Sequence, residues 1–281
     1  MTENPPLVSI SCITYNHAPF LKECFEGFLS QKVDFSYEIV VYDDASTDGT
    51  QELIQEYQKK YPEHFKVLLN DENQYSKGVR GINIRYNFPR CRGKYIALCE
   101  GDDYWSDPEK LQKQVDFLES NGDYTASVHS ALVFNQNTGK VEESLYNQIN
   151  RDFDLKFSDI LKHQGSVYPT CSLLMRKDKI FYPDNLLYFT GGDLILIFFL
   201  VLKGKVRFMK EKMGVYRIHS GGVYQGEKKD IDFYLRNRKN LELFYKAAGK
   251  HLEFRNRLKL LVFRAENAFY MMYLQVKMKM F

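Results

Sequence analysis

The chain has 281 residues, with 39 Lys/Arg against 36 Asp/Glu and a formal net charge of +3. That balance excludes a general nucleic-acid binder, which needs a concentrated positive field. Apolar residues at 44% and aromatics at 15% can build the core of one large domain, or of one domain with an appendage. The five cysteines (Cys12, Cys24, Cys91, Cys99, Cys171) are odd in number, and no two have metal-ligand spacing. They read as buried thiols in a reducing cytosol rather than as a disulfide frame.

Residues 1–6 are short and polar, so no secretory leader is expected at the start. Residues 7–14 alternate and are β-branched, which predicts a first strand; 20–31 carry Leu21, Cys24, Phe25 and Phe28 at helical spacing. Residues 37–42 predict a second strand that stops at Asp43-Asp44, and 50–61 a polar-faced helix. A third strand is expected at 65–69, a loop at 70–81, a helix at 82–92 and a fourth strand at 94–100. The first 105 residues thus alternate strand and helix, which argues an α/β fold with a parallel, doubly wound sheet.

The fourth strand ends in Glu100-Gly101-Asp102-Asp103. Carboxylates beside an apolar strand are costly unless paired, hydrogen-bonded or bound to a metal. In an open α/β sheet, ligands sit beyond the carboxyl ends of the strands. Two strands ending in Asp-Asp, and a third ending in Thr14-Tyr15-Asn16, gather polar groups at one edge. Beyond them, Pro108 opens a helix at 107–120. Strands are expected at 124–135, 167–176 and 206–217, with 144–165 a weakly patterned connection. Thr190-Gly191-Gly192-Asp193 leads into an apolar helix at 194–202, whose nine apolar residues fall short of the ~20 that span a bilayer. His219 opens the loop His219-Ser220-Gly221-Gly222, and helices are expected from about 230 onward.

Val8-Ser9-Ile10, Thr14-Tyr15-Asn16, the segment Asp43-Asp44-Ala45-Ser46-Thr47-Asp48-Gly49-Thr50, and Gly93-Lys94-Tyr95 through Asp103 occur in order. In these the chain resembles the family 2 glycosyltransferases of the GT-A fold, over residues 7 to about 225. The resemblance implies a Rossmann-like, mostly parallel sheet flanked by helices. It also implies a nucleotide-diphospho-sugar donor, a divalent cation (Mn or Mg), and inversion at the anomeric carbon. Spacing alone supports an α/β enzyme with a metal-phosphate site. The family's metal carboxylate falls on Asp103, with Asp102 on the ribose or on the metal through water; the family's usual Asp-x-Asp stands here as Glu100-Gly101-Asp102-Asp103. Asp44 takes the place that accepts the ring N–H of a pyrimidine, favouring a UDP-sugar, while Asp43 caps the next helix or fixes the loop. Thr14, Tyr15 and Asn16 line the nucleotide pocket, and His219 falls near the metal and diphosphate. Asp193 takes the place of the catalytic base, although Gly192 precedes it where the family often has a second acid. Trp105 either stacks on the donor or anchors its loop.

The expected organisation is a catalytic domain over 1–227, with a nucleotide-binding half (1–105) and an acceptor half (106–227), and a basic helical C-terminal extension over 228–281. That extension holds 13 Lys/Arg against 5 Asp/Glu, leaving 26 against 31 for the rest. Such a tail suits packing on the catalytic domain, a homodimer contact, or an anionic membrane surface at its end, Met271-Met272-Tyr273-Leu274 and Met278-Lys279-Met280-Phe281. The expected function is sugar transfer to a hydroxyl of a glycan or lipid-linked glycan in bacterial cell-surface polysaccharide synthesis. The expected location is cytoplasmic, or peripheral on the inner face of the membrane. A non-catalytic nucleotide-sugar-binding or scaffold protein of the same fold would carry many of the same residues. A dinucleotide-dependent dehydrogenase is disfavoured, since no Gly-x-Gly-x-x-Gly follows the first strand.

Overall fold

A computed structural model describes residues 5–144, 146–163, 167–222 and 231–279. The expected boundary at 227/228 and the last two residues, Met280 and Phe281, lie outside them. The N-terminal half runs β1 (Val8–Thr14), α1 (Ala18–Leu29), β2 (Tyr37–Asp43), α2 (Thr50–Lys60), β3 (Phe65–Leu69), β4 (Tyr95–Leu98) and β5 (Tyr104–Trp105). It continues with α3 (Lys110–Ser120), β6 (Tyr124–Asn135), β7 (Lys140–Glu142), β8 (Phe153–Leu155), α4 (Phe157–His163), β9 (Leu174–Arg176), α5 (Gly192–Lys203) and β10 (Lys205–Ile218). Two long helices follow, α6 (Ile231–Ala248) and α7 (Phe254–Lys279).

One sheet crosses the molecule in the order β3-β2-β1-β4-β9-β6-β10-β5, with β7 beside β6 and β8 beside β10. Its first four strands are parallel, while β9 joins β4 and β6 antiparallel. β1 sits in the parallel half, where both faces are covered, so nearly every residue of Val8–Thr14 is buried. On one face α1 lays Leu21, Cys24, Phe25 and Phe28 against β1 and β2, with Pro19 at its start, where the missing N–H costs nothing. On the other face α5 is apolar on all sides, and Ile195 to Leu200 are each buried between the sheet and α4 and α6.

Three local readings are corrected. The helix expected at 82–92 shrinks to one π turn, Asn83–Asn87, whose Asn87 amide donates to the Val40 and Cys12 carbonyls. The strand expected at 167–176 keeps only Leu174–Arg176, because a 3-10 turn occupies Thr170–Ser172. The connection at 144–165 contains a strand and a helix, β8 and α4. Each pattern was weak enough for tertiary pairing to override it.

α6 and α7 pack on the body of the molecule. Leu241, Phe244, Tyr245, Ala248 and Leu252 join the same core as Phe198 and Leu186, and Leu260 of α7 closes it. The outer face of α7 leaves Phe254, Leu258, Leu261, Val262, Phe269 and Met272 exposed. Among the described residues, no helix is long and apolar enough to cross a membrane.

Candidate active site

The carboxyl ends of β1, β2 and β4 open on a cavity of about 820 Å³, closed on its far side by the start of α5, the end of β10 and α6. Its position follows the rule for open α/β sheets. Thr14, Tyr15, Asp44, Asp102 and Asp193 line it. Asn16, Asp43, Asp103, Trp105 and His219 stand behind its wall.

The turn after β4 is stitched to β10. β5 pairs Trp105 with Gly214 and Tyr104 with Val215. Asp103, 1% exposed, accepts the Arg217 backbone N–H at 2.8 Å. The Arg217 guanidinium donates to the Asp102 carbonyl at 2.9 Å, lies over the Tyr104 ring and pairs with Glu23. These contacts bring His219 to Asp102 from 117 positions away, with Nε2 at 3.1 Å from Oδ2. His17, leaving β1, approaches the same oxygen at 3.7 Å. One potential ligand atom from each of His17, Asp102 and His219 lies within 4.8 Å of the other two.

Asp102 is therefore the carboxylate that faces the histidines, and Asp103, where the cation was expected first, is turned inward. Burial and then the neighbouring Asp102 charge push Asp103 well above the usual carboxylate range. Burial also acts on Asp102, but the His219 hydrogen bond and the charges of His17 and His219 outweigh it and hold this acid low. His17 is lowered by burial despite the Asp102 charge, which favours the neutral imidazole that ligates metals. The residues fit a divalent cation: one ionised carboxylate and two imidazoles converge, and Asp102 Oδ1 and His17 Nδ1 are buried without a hydrogen-bond partner among the described residues. Gly101 permits the convergence. A Cβ there would stand 2.6 Å from Thr14 Cγ2 and 3.0 Å from His17 Nδ1.

The second acidic pair divides its labour. Asp43, fully buried, accepts the Ser46 backbone N–H at 2.9 Å and fixes the loop into α2. That loop passes through left-handed backbone at Ala45 (φ 62°), a conformation costing about 1 kcal/mol for a residue with a Cβ. Asn16, also left-handed at φ 54°, ties the loop to β1 by accepting the Thr47 N–H and donating its own N–H to Ser46. Asp44 accepts the Tyr42 hydroxyl at 2.9 Å and the Gln74 and Tyr75 backbone N–H groups at 2.8 and 2.9 Å. It thereby pins the 70–81 loop, which carries Arg80, to the cavity rim. Trp105 is 2% exposed, donates its indole N–H to the Cys171 carbonyl at 2.7 Å and packs on Phe28. It anchors the loop, and its ring does not reach the cavity where a donor would stack.

Asp193 occupies the first turn of α5 after a left-handed Gly191 (φ 84°). Burial raises its pKa, partly offset by hydrogen bonds from the backbone of Leu194, its own amide and the Thr170 hydroxyl. Tyr168 donates to its carbonyl at 3.1 Å. Glu100 lines the same space and is pushed up to about 8 by burial, then by Asp102 and Asp193. Sequence reasoning missed His17 and Glu100. His17 directly follows Thr14-Tyr15-Asn16, but only the fold shows its ring turned to Asp102. Glu100 occupies the first place of an acid-x-acid pattern, a signal available in the sequence.

Fold and cavity define a GT-A glycosyltransferase architecture: a parallel nucleotide-type half-sheet joined to a mixed half, with an acidic turn at the junction. The model of the family described as "Glycosyl transferase family 2" matches residues 9–181. The chain belongs to that family. An uncharacterized protein of Mycobacterium tuberculosis is 32% identical over 229 residues, covering 79% of this chain and 62% of that protein. This chain thus spans about three fifths of the relative's length. A poly(ribitol-phosphate) beta-glucosyltransferase of Bacillus spizizenii is 28% identical over 181 residues, 64% of this chain and 27% of that enzyme. Among solved structures, S. aureus TarS (residues 1–349) in complex with UDP-GlcNAc superposes with a TM-score of 0.66 at 17% identity, covering 94% of this chain and 72% of that one. That likeness concerns the fold.

Proposed function

We propose that the chain transfers a sugar, with inversion, from a nucleotide-diphospho-sugar, UDP being the favoured nucleotide, to a hydroxyl of a glycan or lipid-linked glycan. The observation that supports this reading is the convergence of Asp44, His17, Asp102 and Asp193 on one cavity, with His219 joined to Asp102 behind its wall. In this reading Asp44 accepts the base N–H, and Thr14 and Tyr15 flank the nucleotide. Asp102 and His219, with His17, hold a divalent cation; two imidazoles suit Mn better than Mg, which prefers all-oxygen sets. Bound there, the cation would neutralise the charge that develops on the departing diphosphate.

Asp193 takes the proton from the acceptor hydroxyl as its oxygen bonds to the anomeric carbon and the carbon–oxygen bond to the diphosphate breaks. Its raised pKa makes it a stronger base than a solvated carboxylate, and the N-terminus of α5 steadies its charged form. Arg217 and Asp103 position the cation-holding turn without touching substrate. The exposed apolar face of α7, within a segment rich in Lys and Arg, supports contact with an anionic membrane surface carrying a lipid-linked acceptor.

A thermal-shift panel of UDP-, GDP- and dTDP-sugars with and without Mn, followed by nucleotide release, tests the reading. UDP-sugars should stabilise the protein in a Mn-dependent way. Stabilisation by none of them would refute the Asp44 assignment. Asp193→Asn retaining full transfer would refute the base.

A further inference from the structure

α6 lies in the segment expected to be an extension, yet it forms a wall of the catalytic cavity. Asn237, Asn240, Leu241 and Phe244 all line it. Their spacing of three, four and seven places them on one face of the helix. The contact that seats this face is aromatic: the Phe244 and Phe189 rings meet edge to face, centroids 6.1 Å apart. Phe189 stands four residues before Asp193, so α6 is packed on the segment that carries the proposed base.

The charges of the cavity are distributed unevenly. Arg80, Glu100, Asp102, His17 and Arg217 belong to the strand-end side, where a diphosphate would lie. The wall built by α6 and residues 189–192 is formed by amides, aromatic rings, a leucine, glycines and a threonine. Among the described residues lining that wall there is no Lys, Arg, Asp or Glu before Asp193 itself. Arg236, Arg238, Lys239 and Lys246 are the cations of α6, and none of them lines the cavity. A phosphate-bearing acceptor would call for arginine or lysine. Asn amides offer a donor and an acceptor side by side, which suits vicinal hydroxyls. An adjoining aromatic surface suits the apolar face of a pyranose ring.

We infer that α6 builds the acceptor subsite, with Asn237 and Asn240 as its specificity-determining residues, and that the acceptor group entering it is a neutral sugar rather than a polyol phosphate. This rests on the proposed glycosyl transfer for its meaning, though not for its measurement. Both asparagines are exposed, so replacing them spares the core.

The test is calorimetric titration of the full chain, with and without UDP and Mn, using p-nitrophenyl glycosides of glucose, galactose and N-acetylglucosamine, and ribitol 5-phosphate as the anionic probe. A neutral glycoside should bind at least about tenfold more tightly than ribitol 5-phosphate. The double variant N237A/N240A should weaken that glycoside about tenfold or more, the loss of two hydrogen bonds, while the Kd for UDP stays within about twofold of the wild type. Tighter binding of ribitol 5-phosphate, no binding by any glycoside, or an unchanged glycoside Kd in the double variant would each overturn the inference. Failure of UDP to bind the wild-type chain would instead remove the donor reading, and glycoside binding without UDP reports separately.

Discussion

Lys110 is fully buried behind the Asp102-Asp103 turn, and its ammonium has no hydrogen-bond partner among the described residues. What faces it is the Trp105 ring, 3.8 Å from Nζ to the centroid. Burial, against weaker opposing effects of Cys99 and Cys171, lowers its pKa from 10.5 to about 7. In the unfolded chain the group returns to its ordinary value, so between pH 7 and 10.5 the unfolded state binds more protons than the folded one. Stability contributed by this group therefore rises with pH across that window and is lowest below pH 7. The depression corresponds to a cost of up to about 5 kcal/mol below pH 7.

Lys110→Met keeps the volume and removes the charge. It should stabilise the protein by up to about 4–5 kcal/mol near pH 6.5, an increase in Tm on the order of 10 °C at ~2–4 °C per kcal/mol. The gain should shrink by about 2 kcal/mol at pH 9, where the wild-type lysine is already neutral when folded. Urea unfolding at both pH values, followed by circular dichroism, measures it. A variant destabilised at both, or a gain that does not depend on pH, would show that the ammonium is satisfied and that the reasoning fails.

The remaining predictions concern the site. Asp193→Asn should cut transfer about 10²–10⁴-fold and leave UDP affinity unchanged, measured by product formation and calorimetry. In the wild type the acid limb of the transfer rate should lie above the ordinary carboxylate range, because the base must lose a proton that burial helps it hold; a limb at or below pH 4 contradicts this. Asp102→Asn should weaken Mn binding at least about tenfold, whereas Asp103→Asn should chiefly lower Tm by loosening Arg217; equal losses of Mn affinity would reverse the two roles. Gly101→Ala should impair Mn binding as well, since its Cβ displaces Thr14 or His17.

Several elements could be read from residues alone. The β-branched alternation of 7–14 and the apolar run of 37–42 have no other good burial than a central parallel sheet, and both became fully paired strands. The acids that end the second and fourth strands were visible for the same reason: a carboxylate after a buried strand is conspicuous. Weak signals fared worse. Phe153–Leu155 and Phe157–His163 are too short to announce themselves, and exist because β10 and α5 offer them a surface to pair with and pack on.

Local chemistry, then, determined the strand-helix alternation, the acidic strand ends and the helix start at Asp193. The tertiary structure decided which acid faces inward. Asp102 and Asp103 are adjacent and identical in type, and the turn between β4 and β5 sends one to the histidines and the other to the Arg217 amide. It also decided that α6 is a cavity wall, because a helix joins a site through the rings it meets across space, and no periodicity in residues 231–248 records the partner at Phe189.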